Sequence, residues 1–403
     1  MVSLSFRLGF NVGKRYTNNF NGNADKFGVP LMVEVKDRLG KSFLEKDKLK
    51  DDKNMIYGAV EGMVASLGDP YTVYLSPKNN KNSNEDLSGK FGGVGISLGY
   101  KDKTLAVMST ISGSPAERAK VMGGDLILRI VDKEKKIDKD TGGITLNEAV
   151  DSIRGRKGSK VTLKMYRDSN KESFDVTLMR EEIIVPSVEL EWKEKNGKKI
   201  AWIKLNKFSE QLYDEWTEMV RKIKIEKGNN YGGIVLDLRN NPGGYLQGAV
   251  MVASDFVQNK IVVIQEDASG KKENYYAEKN MGNLLNDKMV ILVNGGSASA
   301  SEILAGALKE FGRAKLIGEK TFGKGTVQQP EELSDGSGLH ITIAKWLLPS
   351  GKNIHKEGVI PDVEVKYEVP KELNDPTKFF TNDERKKLID NQLERAIEEL
   401  LKK

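Results

Sequence analysis

Twice in this chain a short, β-branched apolar run leads into a glycine turn and then a helical repeat, and no other feature limits the fold as strongly. The runs are Gly233 to Leu238 and Met289 to Val293, both short enough for buried strands. Asn240-Asn241-Pro242-Gly243-Gly244 follows the first, and Asn294-Gly295-Gly296 the second. Apolar residues then recur at helical spacing over Leu246 to Phe256, and again at Ile303, Leu304, Ala307, Leu308 and Phe311. Strand, turn and helix in that order predict an α/β core. In such cores, sites collect beyond the carboxyl ends of the strands.

Ser299 stands where the second strand gives way to its helix. The first-turn N–H groups have no intrahelical partner there and point toward any negative charge that builds up beside the hydroxyl. By composition Ser297 and Ser301 are rivals, the former reading as a turn or cap residue and the latter as part of the first helical turn. A nucleophilic serine needs a base. The chain has only two histidines, His340 and His355, whose segments read as a strand and a turn. Lys324, bracketed by Gly323 and Gly325, is the better candidate, because a turn folded over the helix start would desolvate its amine and lower its pKa. A Ser–Lys dyad is a known variant of nucleophilic acyl transfer. Gln328 shares a strand face with Thr326, where its amide can orient that amine. Gly318 to Lys324 also spells most of a phosphate-binding loop, but Gly325 replaces the magnesium-holding Ser or Thr and a strand follows, so that reading is set aside.

Composition removes other chemistries. Among 403 residues there is no cysteine, which excludes thiol catalysis, disulfides and Cys-ligated zinc. Two distant histidines give no basis for a His metal site, so neither metal nor cofactor is expected. The net charge of +6 is small and dispersed, and nucleic acid is not an expected partner.

Ser299 within S-A-S-A-S-E, Lys324 within T-F-G-K-G-T-V-Q, and D-L-R-N-N-P-G-G at Asp237 to Gly244 together resemble the carboxyl-terminal processing proteases, also called tail-specific proteases. The similarity runs from about Met32 to Tyr367. It implies an α/β serine protease core with an inserted PDZ domain, Ser299 as nucleophile, Lys324 as general base and Gln328 as the residue that positions the lysine. It also implies two oxyanion donors, one from backbone in the Gly243-Gly244 turn and one from the Ala300 N–H. The implied partner is a protein or peptide substrate with an accessible C-terminus. A non-catalytic scaffold with a PDZ groove is the competing reading.

The expected division is an N-terminal arm and helical region over 1–88, a PDZ domain over 89–180, the protease core over 181–370 and a helical C-terminal region over 371–403. Within the arm, Leu4 to Val12 could add a strand. Leu31 to Leu67 reads as two helices ended by Gly68-Asp69-Pro70, because Pro70 lacks a donor and restricts Asp69. Lys78 to Lys90 reads as a polar linker. Gly93, Val94, Gly95 and Ile96 resemble a carboxylate-binding loop, with the last three as donors and a strand edge that can accept an extended peptide. Val131 to Gly143 reads as a solvated loop. Asn147 and Val150 face the groove from a helix over Thr145 to Ile153. Asp237 and Arg239 read as a structural salt bridge. Thr381 to Leu401 reads as a charged helix whose stripe of Leu388, Leu393, Ile397 and Leu401 either pairs with the N-terminal helices of a second copy or docks on its own body. No 18-residue apolar stretch exists and Met1 to Tyr16 lacks a secretory signal. The resemblance nevertheless implies an extracytoplasmic protein with membrane association through an N-terminal anchor, and the C-terminal stripe gives a homodimer as a further expected partner.

Overall fold

The computed structural model describes residues 28–101, 103–168, 171–370, 381, 384 and 388–402. The strand considered within Leu4 to Val12 lies outside them. The described chain falls into two compact units, one formed by residues up to Asn84 with Thr326–Ala344, the other by Glu85–Gly325 with the chain from Lys345 onward. This grouping differs from the four-part division because strands after Gly325 pair with the N-terminal segment.

In the first unit the helices are Val29–Ser42, Asp52–Ala65 and most of Pro77–Ser88, whose last residues belong to the second unit. Asp51 caps the second, its carboxylate accepting the Lys53 and Asn54 N–H groups. The third helix occupies the stretch expected as a linker, which corrects that expectation. With few apolar residues it shows no periodicity, and it is anchored by buried Asn80, whose amide donates to the Gly336 carbonyl at 3.1 Å. Val73–Leu75 pairs antiparallel with Gly338–Leu347, placing Tyr74 opposite Leu339. Thr326–Glu332 pairs with that same strand.

The second unit begins with an inserted β module. Its sheet runs in the order Ile96–Lys101, Thr104–Thr110, Leu126–Asp132, Lys160–Arg167, Glu172–Met179. Leu105, Ile127, Ile130, Leu163 and Met165 are fully buried and form its core with Ala149 and Ile153 of the Leu146–Ile153 helix. Thr145 and Glu148 close that helix start as a capping box. The expected loop at Val131 to Gly143 is instead a hairpin, Ile137–Asp140 pairing with the end of Leu126–Asp132. Its residues are nearly all charged and exposed, so no apolar alternation marks it, and Arg129 bonds Asp138 across it at 2.6 Å.

The α/β body follows. Its sheet has the order Val188–Lys195, Lys198–Leu205, Tyr231–Asp237, Met289–Val293, Lys315–Gly318, Val363–Glu364, antiparallel in the first pair and parallel thereafter. Tyr231–Asp237 and Met289–Val293 are adjacent, with Asp237 opposite Leu292, so both glycine turns emerge at the same end of the sheet. The C-terminal helix spans Asn391–Leu401, shorter than expected. Leu393, Ala396, Ile397 and Leu400 bury against Val235, Val290, Leu292 and Ile317, so this stripe docks on its own body. Among the described residues no helix is long and apolar enough to cross a membrane.

Candidate active site

Ser299 immediately precedes the Ala300–Glu310 helix with φ 56° and ψ −116°, a backbone conformation that an L-residue holds only when its surroundings impose it. The neighbouring serines supply part of that constraint. Ser297 Oγ donates to the Leu238 carbonyl at 2.7 Å and accepts the Asn294 N–H at 3.0 Å. Ser301 Oγ donates to the Asn241 carbonyl at 2.9 Å. Both rivals are buried and committed to the two turns, whereas Ser299 is only partly buried.

The first glycine turn presses directly on the second. A side chain at Gly243, whose φ is +102°, would place its Cβ 2.8 Å from Ser299 Cβ and 3.0 Å from Ala300 N, so only glycine fits. Fully buried Asn241 holds this contact. Its amide donates to the Leu205 carbonyl at 2.6 Å, its side-chain oxygen accepts the Gly243 N–H at 2.9 Å, and its carbonyl accepts the Ala298 N–H at 3.0 Å. Within the Gly243-Gly244 turn the Gly243 N–H is therefore already taken. The Gly244 and Ala300 N–H groups have no hydrogen-bond partner among the described residues.

Sequence reasoning missed Glu302, which ties the serine to the lysine turn. Its carboxylate is fully buried. Oε2 accepts both the Ser299 N–H and the Lys324 N–H, each at 2.9 Å. Oε1 accepts the Gly323 N–H at 2.7 Å and the Thr321 hydroxyl at 2.5 Å. One oxygen therefore sets the main chain of Ser299 against that of Lys324. Four donors satisfy a charge that burial would otherwise penalise, and its place in the first helical turn favours a negative group. The only sequence signal was the spacing of a serine and a glutamate three residues apart, the pattern of a capping box.

The lysine turn has further supports. Phe322 N–H donates to the Ser297 carbonyl at 3.0 Å, and Lys356 N–H to the Gly323 carbonyl at 2.8 Å. Trp346 Nε1 donates to the Lys324 carbonyl at 2.9 Å. His355, expected as a structural turn residue, accepts the Gly325 N–H on Nδ1 at 3.3 Å. Gln328 lies in the other compact unit, where its Nε2 donates to the hydroxyls of Thr326 at 2.9 Å and Thr342 at 3.1 Å. Thr326 and Gln328 do share a strand face.

Asp237 and Arg239 form the structural pair expected, 2.6 Å apart. The guanidinium also reaches Asp390 at 2.7 Å, clamping the start of the C-terminal helix beside the first glycine turn. Burial works against that charged guanidinium, but the two carboxylates outweigh it and raise its pKa.

In the β module, Val94, Gly95 and Ile96 lead into the Ile96–Lys101 edge strand, whose outer side carries no strand among the described residues. Gly95, at φ +76°, has room for no side chain, since its Cβ would fall 2.2 Å from Ser114 Cβ. Val94 buries its side chain in the module core, so only its backbone faces the loop. Gly93 instead pairs with Glu181 in a separate ribbon. Asn147 is exposed and Val150 partly buried, three residues apart on one side of a helix that packs on the edge strand.

Residues 199–365 match peptidase family S41, residues 92–178 match the PDZ domain, and residues 37–79 match the N-terminal domain of the activating protease CtpB. Carboxy-terminal processing protease CtpB of Bacillus subtilis is 35% identical over 343 residues, covering 83% of this chain and 68% of the relative. The chain belongs to the carboxy-terminal processing proteases of family S41. Another member, CtpA of Bacillus subtilis, is 39% identical over 321 residues, covering 79% of this chain and 65% of that one. The chain thus spans about two thirds of the length of these S41 relatives. An S41 protease crystal structure from Bacteroides fragilis shares the fold at a TM-score of 0.57 and 18% identity, covering 96% of this chain and 99% of that one. The inserted β module of this S41 chain is a PDZ domain.

Proposed function

We propose that this chain is a serine endopeptidase that cleaves proteins after reading their C-terminus, with Ser299 as nucleophile and Lys324 as general base. The supporting observation is the shared Glu302 oxygen, which joins the two residues' backbones while Gly243 closes over Ser299. In the first step neutral Lys324 takes the hydroxyl proton as Ser299 Oγ attacks the scissile carbonyl. The Ala300 and Gly244 N–H groups receive the resulting oxyanion, a contribution of roughly 3 kcal/mol for each donor. The lysine then protonates the leaving amine. Water, deprotonated by the same amine, attacks the ester and releases the acyl product. Gln328, four residues further along, is assigned the positioning of the amine.

The substrate C-terminus is assigned to the loop at Val94, Gly95 and Ile96, with its chain added along the Ile96–Lys101 edge and its last side chain facing Val150 and Asn147. Such a groove favours an apolar terminal residue. We further propose action outside the cytoplasmic membrane, with N-terminal anchoring, as the family resemblance implies. A homodimer is proposed through the Val29–Ser42 helix, which buries none of its own residues and exposes Leu31, Val35 and Leu39.

The test is cleavage of dye-labelled casein by wild type, Ser299→Ala and Lys324→Ala. Loss in both variants is expected, whereas a cleaving Lys324→Ala would remove the assigned base. Competition by peptides with a free or an amidated C-terminus tests the groove, and equal competition by the two would reject it.

A further inference from the structure

Thr321, Phe322 and Gly323 lead straight into Lys324, and they face in opposite directions. Thr321 is 4% exposed and Gly323 is buried, whereas Phe322 between them is 56% exposed. The flanking residues converge on one atom, since the Thr321 hydroxyl and the Gly323 N–H both donate to Glu302 Oε1, at 2.5 and 2.7 Å. The phenyl ring is thereby turned away from the buried carboxylate and out of the body.

Its backbone has no slack with which to turn back. The Phe322 N–H donates to the Ser297 carbonyl at 3.0 Å, the Thr321 N–H to the Val359 carbonyl at 3.1 Å, and the Gly323 carbonyl accepts the Lys356 N–H at 2.8 Å. The Val359 N–H returns a bond to Thr321 Oγ at 2.7 Å, so the two segments lie side by side. Ile360, next to Val359, is turned out as well and is 65% exposed.

A lone apolar side chain at a surface is ordinary and needs no function. Phe322 differs in being fixed between the turn of the nucleophile and that of the base. With Lys324 as the base, the amine that takes the Ser299 proton must next reach the leaving nitrogen. The turn carrying that amine therefore borders the segment that departs, and the residue on the acyl side of the bond is directed away from it. A rigid ring at that border offers area rather than hydrogen bonds, and it gains by covering an apolar side chain.

We propose that Phe322 is a specificity-determining residue on the leaving side of the scissile bond, its ring receiving an apolar side chain of the first residue after the cut. Ile360 extends the same apolar face. This rests on the Ser299–Lys324 reading and adds to it the class of substrate residue taken at that position.

Mass spectrometry of casein digests gives the residues on either side of each cut, and wild type should favour Leu, Ile, Val, Met or Phe immediately after it. One casein peptide that wild type cuts once is then synthesised with Leu or Gly at that position. Wild-type kcat/KM should be about tenfold or more higher for the Leu peptide, as expected where a pocket discriminates by apolar size. Phe322→Ala should bring the ratio within about threefold, and Phe322→Leu should keep most of it. The preference before the cut should stay as in wild type. If Phe322→Ala lowers both peptides alike and keeps the ratio, the ring only steadies the lysine turn and the inference is overturned. A preference that shifts before the cut instead of after it also overturns it. Ser299→Ala in the same digests separates the two levels. If it cleaves as wild type does, the underlying reading fails; if it is silent while Phe322→Ala keeps the wild-type ratio, only this inference fails.

Discussion

At the residue scale, the site depends on groups that other groups leave no choice. Gly243 is one, since a methyl group there would collide with Ser299 Cβ at 2.8 Å and force an L-residue to φ +102°. Gly243→Ala is expected to cost about 100-fold in kcat through a displaced Ser299 and Ala300 N–H, measured as steady-state peptidase activity. Glu302 is another. Glu302→Gln replaces one carboxylate oxygen by an NH2 that must face donors, two for either oxygen. The expected loss is on the order of 1–3 kcal/mol in urea unfolding, with kcat falling as the two turns separate. The placement of Ser299 at a strand-to-helix turn was legible in the sequence because the apolar run before it and the helical spacing after it are local signals. Asn241 and Glu302 were not, because each acts through bonds to main chain far away in sequence, and asparagine in a glycine turn or glutamate in a first helical turn has an ordinary local explanation.

At the scale of elements, the strands and helices of the α/β body were legible from apolar runs such as Met289–Val293 and from helical spacing after Ser299. The Pro77–Ser88 helix and the Ile137–Asp140 strand were not. Both are polar elements held by partners rather than by periodicity, the first through Asn80 and the second through pairing with Leu126–Asp132. The C-terminal helix is pinned by its apolar stripe and by Asp390. Burial alone would raise the Asp390 pKa, but the Arg239 hydrogen bond and charge override it and lower the value. The sign follows from linkage. A depressed folded pKa contributes stability above the unfolded value of about 3.9, and that contribution is lost as pH falls through the folded value. Asp390→Asn should therefore be less stable than wild type near pH 7 in urea unfolding, with the gap closing as pH falls below the unfolded value and through the depressed folded one. A gap that persists in acid would show that the difference does not come from the Asp390 charge.

At the scale of the whole molecule, recognition and cleavage are assigned to different parts of one compact unit, the PDZ domain and the α/β body. Val150→Asp in the groove should raise KM for substrates with apolar C-termini while leaving kcat near wild type, because it removes binding shared by ground and transition states. Assembly is the other molecular-scale expectation. The Val29–Ser42 helix exposes Leu31 at 63% and Val35 at 48%, so Val35→Asp should shift sedimentation toward the monomer if that face joins two copies.

The central claim is that the Lys324 amine activates the Ser299 hydroxyl. Reaction with a serine-directed fluorophosphonate, followed by peptide mapping, tests it most directly. Wild type should be labelled at Ser299 at a rate that rises with pH as the amine loses its proton, and Lys324→Ala should label roughly 100-fold or more slowly. Labelling of Ser299 at the wild-type rate without the lysine, or at a serine other than Ser299, would contradict the account.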